Sequence, residues 1–331
     1  MSHELTKTDK MAYVGETPWH GLGAVLPEGA DVETMANAAG LTWRVNKSKI
    51  RVVDGRVIPD HFGLVRSDNG ETLDVVGRQY VPTQPREALE FFERFAQAGE
   101  MNMETAGSLC GGRWVWGLAR INGPRFLGKG DELRNYCLLV SPNVHGKSLV
   151  IKQTSIRVVC WNTMTAALGK TVGRNGFETT PANWSMRHTR EFDAEMREQA
   201  GTAVAQAVGL FDGFVEQAER MASVHFDRER SLDYLKTVFR LNQPELDEQA
   251  EADRKVRRSP MLARFETALT SAPGANTDAA NGTLWGAFNA VTYLCDHALG
   301  RDADTRLRES WLGYREVIKG RALKLAEEVM A

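Results

Sequence analysis

The 331-residue chain lacks any apolar run of 18 residues, so no membrane-spanning helix is expected. The first 20 residues, MSHELTKTDKMAYVGETPWH, contain no apolar core, and no secretory signal is expected from them. The four cysteines, Cys110, Cys137, Cys160 and Cys295, are scattered, with no C-x-x-C pair. That excludes the usual zinc spacings and, without a signal, predicts reduced thiols in a cytoplasmic protein. There is no G-x-S-x-G elbow and no G-x-G-x-x-G after a strand. No repeat or low-complexity tract is present. The string His145-Gly146-Lys147-Ser148 ends like a phosphate-binding loop, but Ser141 stands where that loop needs glycine. A β-type run, LVIKQTSIRVV, follows where a helix is required, so the string reads as a turn. Neither a cofactor nor a metal is expected. The histidines form no H-E-x-x-H, and adjacent pairs such as Asp296-His297 do not face one site on a helix.

Composition is that of an ordinary globular protein, 42% hydrophobic and 25% charged. A short helix is expected near Val32–Ala39. Residues 41–81 alternate in β-like runs (LTWRV, KIRVV, HFGLVRS, TLDVVGRQYV), and Asp54-Gly55 and Asn69-Gly70 mark hairpin turns. A helix is expected over 85–98, with Pro85 in its first turn and Glu87 placed for the helix dipole. Strands are expected over 102–109, 112–121, 134–142 and 148–160, then a short helix from Asn162 to Gly169 and a glycine-containing loop over 169–186. Everything after about 190 reads helical: Val204, Val208, Phe211, Val215 and Ala218 share one face, and so do Leu284, Phe288, Val291 and Cys295. The last helix carries Leu307, Trp311, Tyr314, Ile318, Ala322, Leu325 and Val329. Residues 271–283, SAPGANTDAANGT, form a connector. The expected fold class is α+β, a mainly antiparallel sheet with helices over 1–189 and an acidic helical domain over 190–331.

The net charge of −2 hides a segregation. Residues 133–190 hold eight basic residues, Arg134, Lys147, Lys152, Arg157, Lys170, Arg174, Arg187 and Arg190, against one acid, Glu178, a net of +7. Residues 191–253 hold fifteen acids against six bases, a net of −9. The basic block is a candidate phosphate-binding surface; the alternative is that the two blocks neutralise one another, within a subunit or between neighbours. On strand 150–160, alternation sets Gln153, Ser155 and Arg157 on one face. Trp114 and Trp116 share a strand face, where they serve either as base-stacking platforms or as core.

Several strings point to a family: Pro18-Trp19-His20-Gly21-Leu22-Gly23, Ala106-Gly107-Ser108 with Gly111-Gly112, His145-Gly146, and Arg157-Val158-Val159-Cys160-Trp161-Asn162-Thr163. Arg187-His188-Thr189, Asn289-Ala290-Val291-Thr292 and Asp296-His297 complete the set. Together they resemble the phage/plasmid-like family of unknown function (domain of unknown function 932). The resemblance implies a mobile-element setting and carries no activity. Its motif residues here are Trp19, His20, His145, Arg157, Asn162, His188, Asn289 and His297. The succession of a helix, antiparallel strands and a helix is also similar to phage single-strand annealing proteins of the Red-beta type, at the level of fold alone.

The expected function is therefore single-stranded DNA binding, with strand annealing as an extension, by a homo-oligomer without enzymatic activity. The basic surface and an apolar face at Trp311–Ile318 would serve DNA and assembly respectively. Two alternatives stand beside it: a nucleic-acid-processing enzyme with His20, His145, His188 or His297 near the chemistry, and a counter-defence or interaction protein that uses the acidic helices.

Overall fold

The structure is a computed structural model and describes residues 10–15, 23–157, 162–164, 171–172, 178–179, 184–241, 248–300 and 313–331. In chain order the first elements are β1 (Met11–Val14), β2 (Ala24–Leu26), α1 (Val32–Ala38), β3 (Val45–Arg51), β4 (Val57–Arg66), β5 (Thr72–Gly77), α2 (Pro85–Glu90) and α3 (Glu93–Gln97). Next come β6 (Met101–Leu109), β7 (Trp114–Leu127), β8 (Asp131–Pro142), β9 (Ser148–Arg157), β10 (Asn162–Met164), β11 (Thr171–Val172), β12 (Glu178–Thr179) and β13 (Trp184–Arg187). The helical part holds α4 (Ala194–Ser223), α5 (Arg228–Val238), α6 (Glu248–Ser271), α7 (Leu284–Tyr293), a π-helical turn (Leu294–Ala298) and α8 (Tyr314–Met330). The protein is α+β, as its sequence pattern predicts.

The main sheet runs β10-β9-β8-β7-β6-β1-β2, and β13 also pairs with β9. Its long strands are antiparallel neighbours in sequence, joined by tight turns; only β1 and β2 pair in parallel. One face carries Ala106, Val115, Ala119, Cys137, Leu139, Leu149 and Ile151, which form a core with α1, α2, α3 and the first half of α4. Gly117 permits the close approach of α2: a Cβ there would lie 2.6 Å from Leu89 Cδ2 and 3.0 Å from Phe92 Cε2. The opposite face holds a smaller cluster of Met11, Leu109, Trp116, Leu118, Tyr136, Leu138 and Val140.

The second half of α4 (Phe211, Phe214, Ala218, Met221) enters another core with Leu235, Phe265, Trp285, Phe288, Ile318 and Ala322, joined by Leu127 and Leu133 of the sheet. The Trp285 indole N–H donates to the buried Asp131 carboxylate at 3.0 Å, which fastens α7 to the start of β8. One helix thus belongs to both cores and bridges the halves expected at 189/190.

A separate three-stranded sheet, β3-β4-β5, uses the two turns expected from Asp-Gly and Asn-Gly. The Gly55 N–H donates to Val52 O at 2.8 Å, and Gly55 takes the positive φ the turn requires. LTWRV forms no strand until Val45, because Leu41 N–H closes α1 on Ala36 O and Trp43 lies buried beneath the Arg66 guanidinium.

Two helix expectations change. The 85–98 helix breaks at Phe91-Phe92, where Phe92 N–H bonds back to Leu89 O and both rings turn into the core. The short helix expected from Asn162 begins instead as β10, paired antiparallel with β9 (Asn162↔Arg157, Met164↔Ser155). The backbone groups along the outer edge of β9 need partners, and an edge of that length recruits both β10 and β13. The loop at 169–186 contains the paired β11 and β12 and the start of β13; its other residues lie outside those described. The connector at 271–283 is a series of turns, as its composition predicts.

Candidate nucleic-acid interface

The eight basic residues expected to form one surface separate into distinct environments. Lys152 leaves it: the side chain is buried at 3% exposure, and its ammonium pairs with Glu316 of α8. Burial pulls its pKa down, the Glu316 charge opposes that, and the Lys319 charge adds to it. On β9, Lys152 sits opposite Leu138, on the face away from Gln153, and α8 docks there. A charge at that position must be paired in the interior rather than offered to solvent. Lys319 pairs in the same way with Asp296 of the π-helical turn at 3.0 Å, and Arg315 donates to Cys295 O at 3.2 Å. Gln153, expected on an exposed polar face, is buried and donates to Asn135 at 2.8 Å. Arg134 is partly buried and tied to Glu132 at 2.7 Å. Arg157 is placed by its backbone register alone, and Lys170 and Arg174 lie outside the described residues.

Lys147, Arg187 and Arg190 remain exposed and make no ion pair among the described residues. Lys147 sits in the β8–β9 turn, and Arg187 is in register with Ser148 on β9. No ion pair among the described residues joins the block 133–190 to the acids of 191–253. Those acids meet other cations: Glu198 pairs with Arg94, and Asp212 with Arg125 at 2.7 Å.

Hydrogen bonds connect this end of the sheet to the β3-β4-β5 sheet. The His145 N–H donates to Asp74 of β5 at 2.8 Å, and Arg113 lies 3.9 Å from the same carboxylate. The Tyr80 hydroxyl donates to Pro142 O at 3.1 Å, and Val81 N–H to His188 O at 2.8 Å. The Tyr80 and His188 rings stack at 4.9 Å, nearly parallel. Burial pushes the His188 pKa down to about 4, against a smaller opposing hydrogen bond at the Val81 backbone, and it raises that of Tyr80, with Asp74 adding to the rise. The Lys47 ammonium donates to Arg78 O at 2.5 Å and Tyr80 O at 2.9 Å. Lys47 is thereby held, half-buried, at the root of the β3–β4 hairpin, against the Arg78 and Tyr80 carbonyls.

From that root the hairpin extends with Lys49, Arg51 and Arg56. Residues 44–56 hold five basic residues against one acid, a net of +4. Counting charge from residue 133 onward misses this ribbon. The signal for it is Lys47, Lys49 and Arg51 at every second position, leading into an Asp-Gly turn.

Among the aromatics, Trp116 is buried core and unavailable for stacking, and Trp114 is half-buried beside it. They share a face because both project from β7 on the same side, and apolar neighbours close over it. Of the family-motif residues, His145 is exposed in its turn, while His188 is buried with no partner at Nε2. Asn289 lies inside the helical core and donates to Trp285 O at 2.8 Å. His297 packs against Tyr293 on the π-helical turn. Asn162 is placed only by its pairing with Arg157; Trp19, His20 and Cys160 lie outside the described residues. The motif histidines among the described residues, His145, His188 and His297, thus fall in three different settings. Among the described residues no group of three or more His, Cys, Asp or Glu is placed to hold a metal, and no helix is long and apolar enough to cross a membrane.

The fold and this surface define an α+β protein in which a small second sheet, with a cationic hairpin, is hydrogen-bonded to one end of the helix-backed main sheet. The chain belongs to a family described as a domain of unknown function (DUF932), whose model matches residues 72–311. The matched segment runs from β5 through the π-helical turn; the hairpin β3–β4 and helix α8 lie outside it. No curated protein and no solved structure matches the chain.

Proposed function

We propose that the protein is a non-enzymatic binder of single-stranded nucleic acid in the DNA metabolism of mobile elements. The observation that carries the reading is a set of exposed cations, Lys147, Arg187 and Arg190, at the end of the main sheet that is hydrogen-bonded through Tyr80 and Val81 to the segment bearing exposed Arg78 and to the root of the cationic hairpin. Phosphate contacts dominate sequence-independent binding, and they need cations that are exposed and not committed to internal carboxylates. The first three meet that condition, whereas Lys152 and Arg134 do not.

The test is fluorescence anisotropy of a labelled oligo(dT) across a salt series. The protein binds, and its affinity falls linearly on a log–log plot. A Lys147→Ala/Arg187→Ala/Arg190→Ala variant loses about 0.7 of slope for each phosphate contact removed. A native protein that fails to bind at low salt overturns the reading.

A further inference from the structure

We propose that the β3–β4 hairpin is a wedge that opens the end of a duplex where single-stranded and double-stranded nucleic acid meet. This rests on the nucleic-acid-binding reading above and adds a second kind of contact to it. The third strand of that sheet stops at His61↔Gly77; beyond this pair the hairpin has no third strand, and after a bulge on β4 the two strands pair again at Arg51↔Val57. From Asn46 to Phe62 no residue is buried. At a rise of about 3.4 Å per residue, the stretch from Lys49 to the end of β3 at Arg51, with the turn beyond it, places the tip on the order of 10 Å beyond the body.

The composition of the tip is unusual for a solvent-exposed turn. Val53 is fully exposed, with Val52 and Val57 also exposed beside it. Those three valines sit among Lys49, Arg51 and Arg56. The turn is braced: the Arg51 guanidinium donates to Gly55 O at 2.9 Å, Arg56 pairs with Asp54 at 2.7 Å, and Val52 N–H bonds to Arg56 O at 2.9 Å. A braced apolar tip with cationic flanks fits a polyanion whose interior is a stack of flat apolar rings. A two-stranded ribbon has the width of a nucleic-acid groove, and aliphatic side chains inserted between base steps unstack them. Lys49 and Arg51 take the phosphates and Val53 meets the terminal base pair. Charge complementarity and the link through Lys47 to the cationic end favour nucleic acid as the occupant.

The probe is a forked DNA with 2-aminopurine at the first paired position, whose fluorescence rises on unstacking. The native chain raises it, as partial unstacking of the terminal step does. A Val52→Ser/Val53→Ser variant, altered only at exposed positions, keeps its melting temperature and its affinity for oligo(dT) but loses the rise. An equal rise in variant and native chain overturns the wedge. So does native binding to oligo(dT) with no rise at the fork, an outcome that leaves the binding reading standing. Failure of the native chain to bind oligo(dT) removes the binding reading itself. If light scattering without DNA instead shows the tip variant losing an oligomer that the native chain forms, the ribbon is a contact between copies and the wedge is overturned.

Discussion

Lys152 shows how one residue changes meaning between sequence and fold. In the sequence it is one of eight cations in a basic block; in the structure it is an interior charge neutralised by Glu316. Removing one partner of such a pair leaves the other uncompensated in a poorly solvated site, at a cost of about 3–5 kcal/mol. Glu316→Gln therefore lowers the urea unfolding free energy by that order, and Lys152→Met with Glu316→Leu restores much of it. Lys152→Ala weakens folding and leaves oligo(dT) affinity per folded molecule unchanged. His188 gives a pH-dependent counterpart. Its folded pKa of about 4 lies below the usual 6.5, so the unfolded chain binds more protons between those values. The stability it contributes is complete above pH 6.5 and is lost as pH falls towards 4, an effect of up to about 3 kcal/mol. Urea midpoints measured across that window decline for the native protein, and His188→Phe flattens this part of the decline.

At the scale of elements, turn chemistry and periodicity were legible and pairing was not. Asp54-Gly55 and Asn69-Gly70 marked real turns, and α4 and α7 followed the spacing of their apolar residues. Asn162-Thr163-Met164 carries too little pattern to declare itself. It becomes a strand because β9 offers an open edge, a tertiary fact no local window contains. The face expected to adhere between subunits shows the same limit. Ile318 is apolar on an amphipathic helix, yet it packs within the subunit's own helical core; Trp311 lies outside the described residues. Tight packing of helix on sheet can be tested at Gly117. A valine there must displace Leu89 and Phe92, so Gly117→Val destabilises by about 1–3 kcal/mol, read from the shift in denaturant midpoint at constant slope.

Over the whole molecule, the segregation of charge written in the sequence survives only in reduced form. The acids of α4 are partly neutralised by Arg94 and Arg125, arginines that belong to neither block. Of the cations in the basic block, Lys147, Arg187 and Arg190 stay exposed, and further exposed cations come from residues 44–56, a part of the chain outside that block. The candidate surface was therefore half legible: Lys147, Arg187 and Arg190 could be named from the sequence, but their neighbours Lys47 and Arg78 are brought there by hydrogen bonds between two sheets. The most direct test is amide hydrogen exchange of the full chain with and without oligo(dT). Residues 45–57, 145–148 and 184–190 gain protection together on binding. Protection confined to α4–α8, or none on the ribbon and the β8–β9 turn while oligo(dT) is bound, contradicts the account.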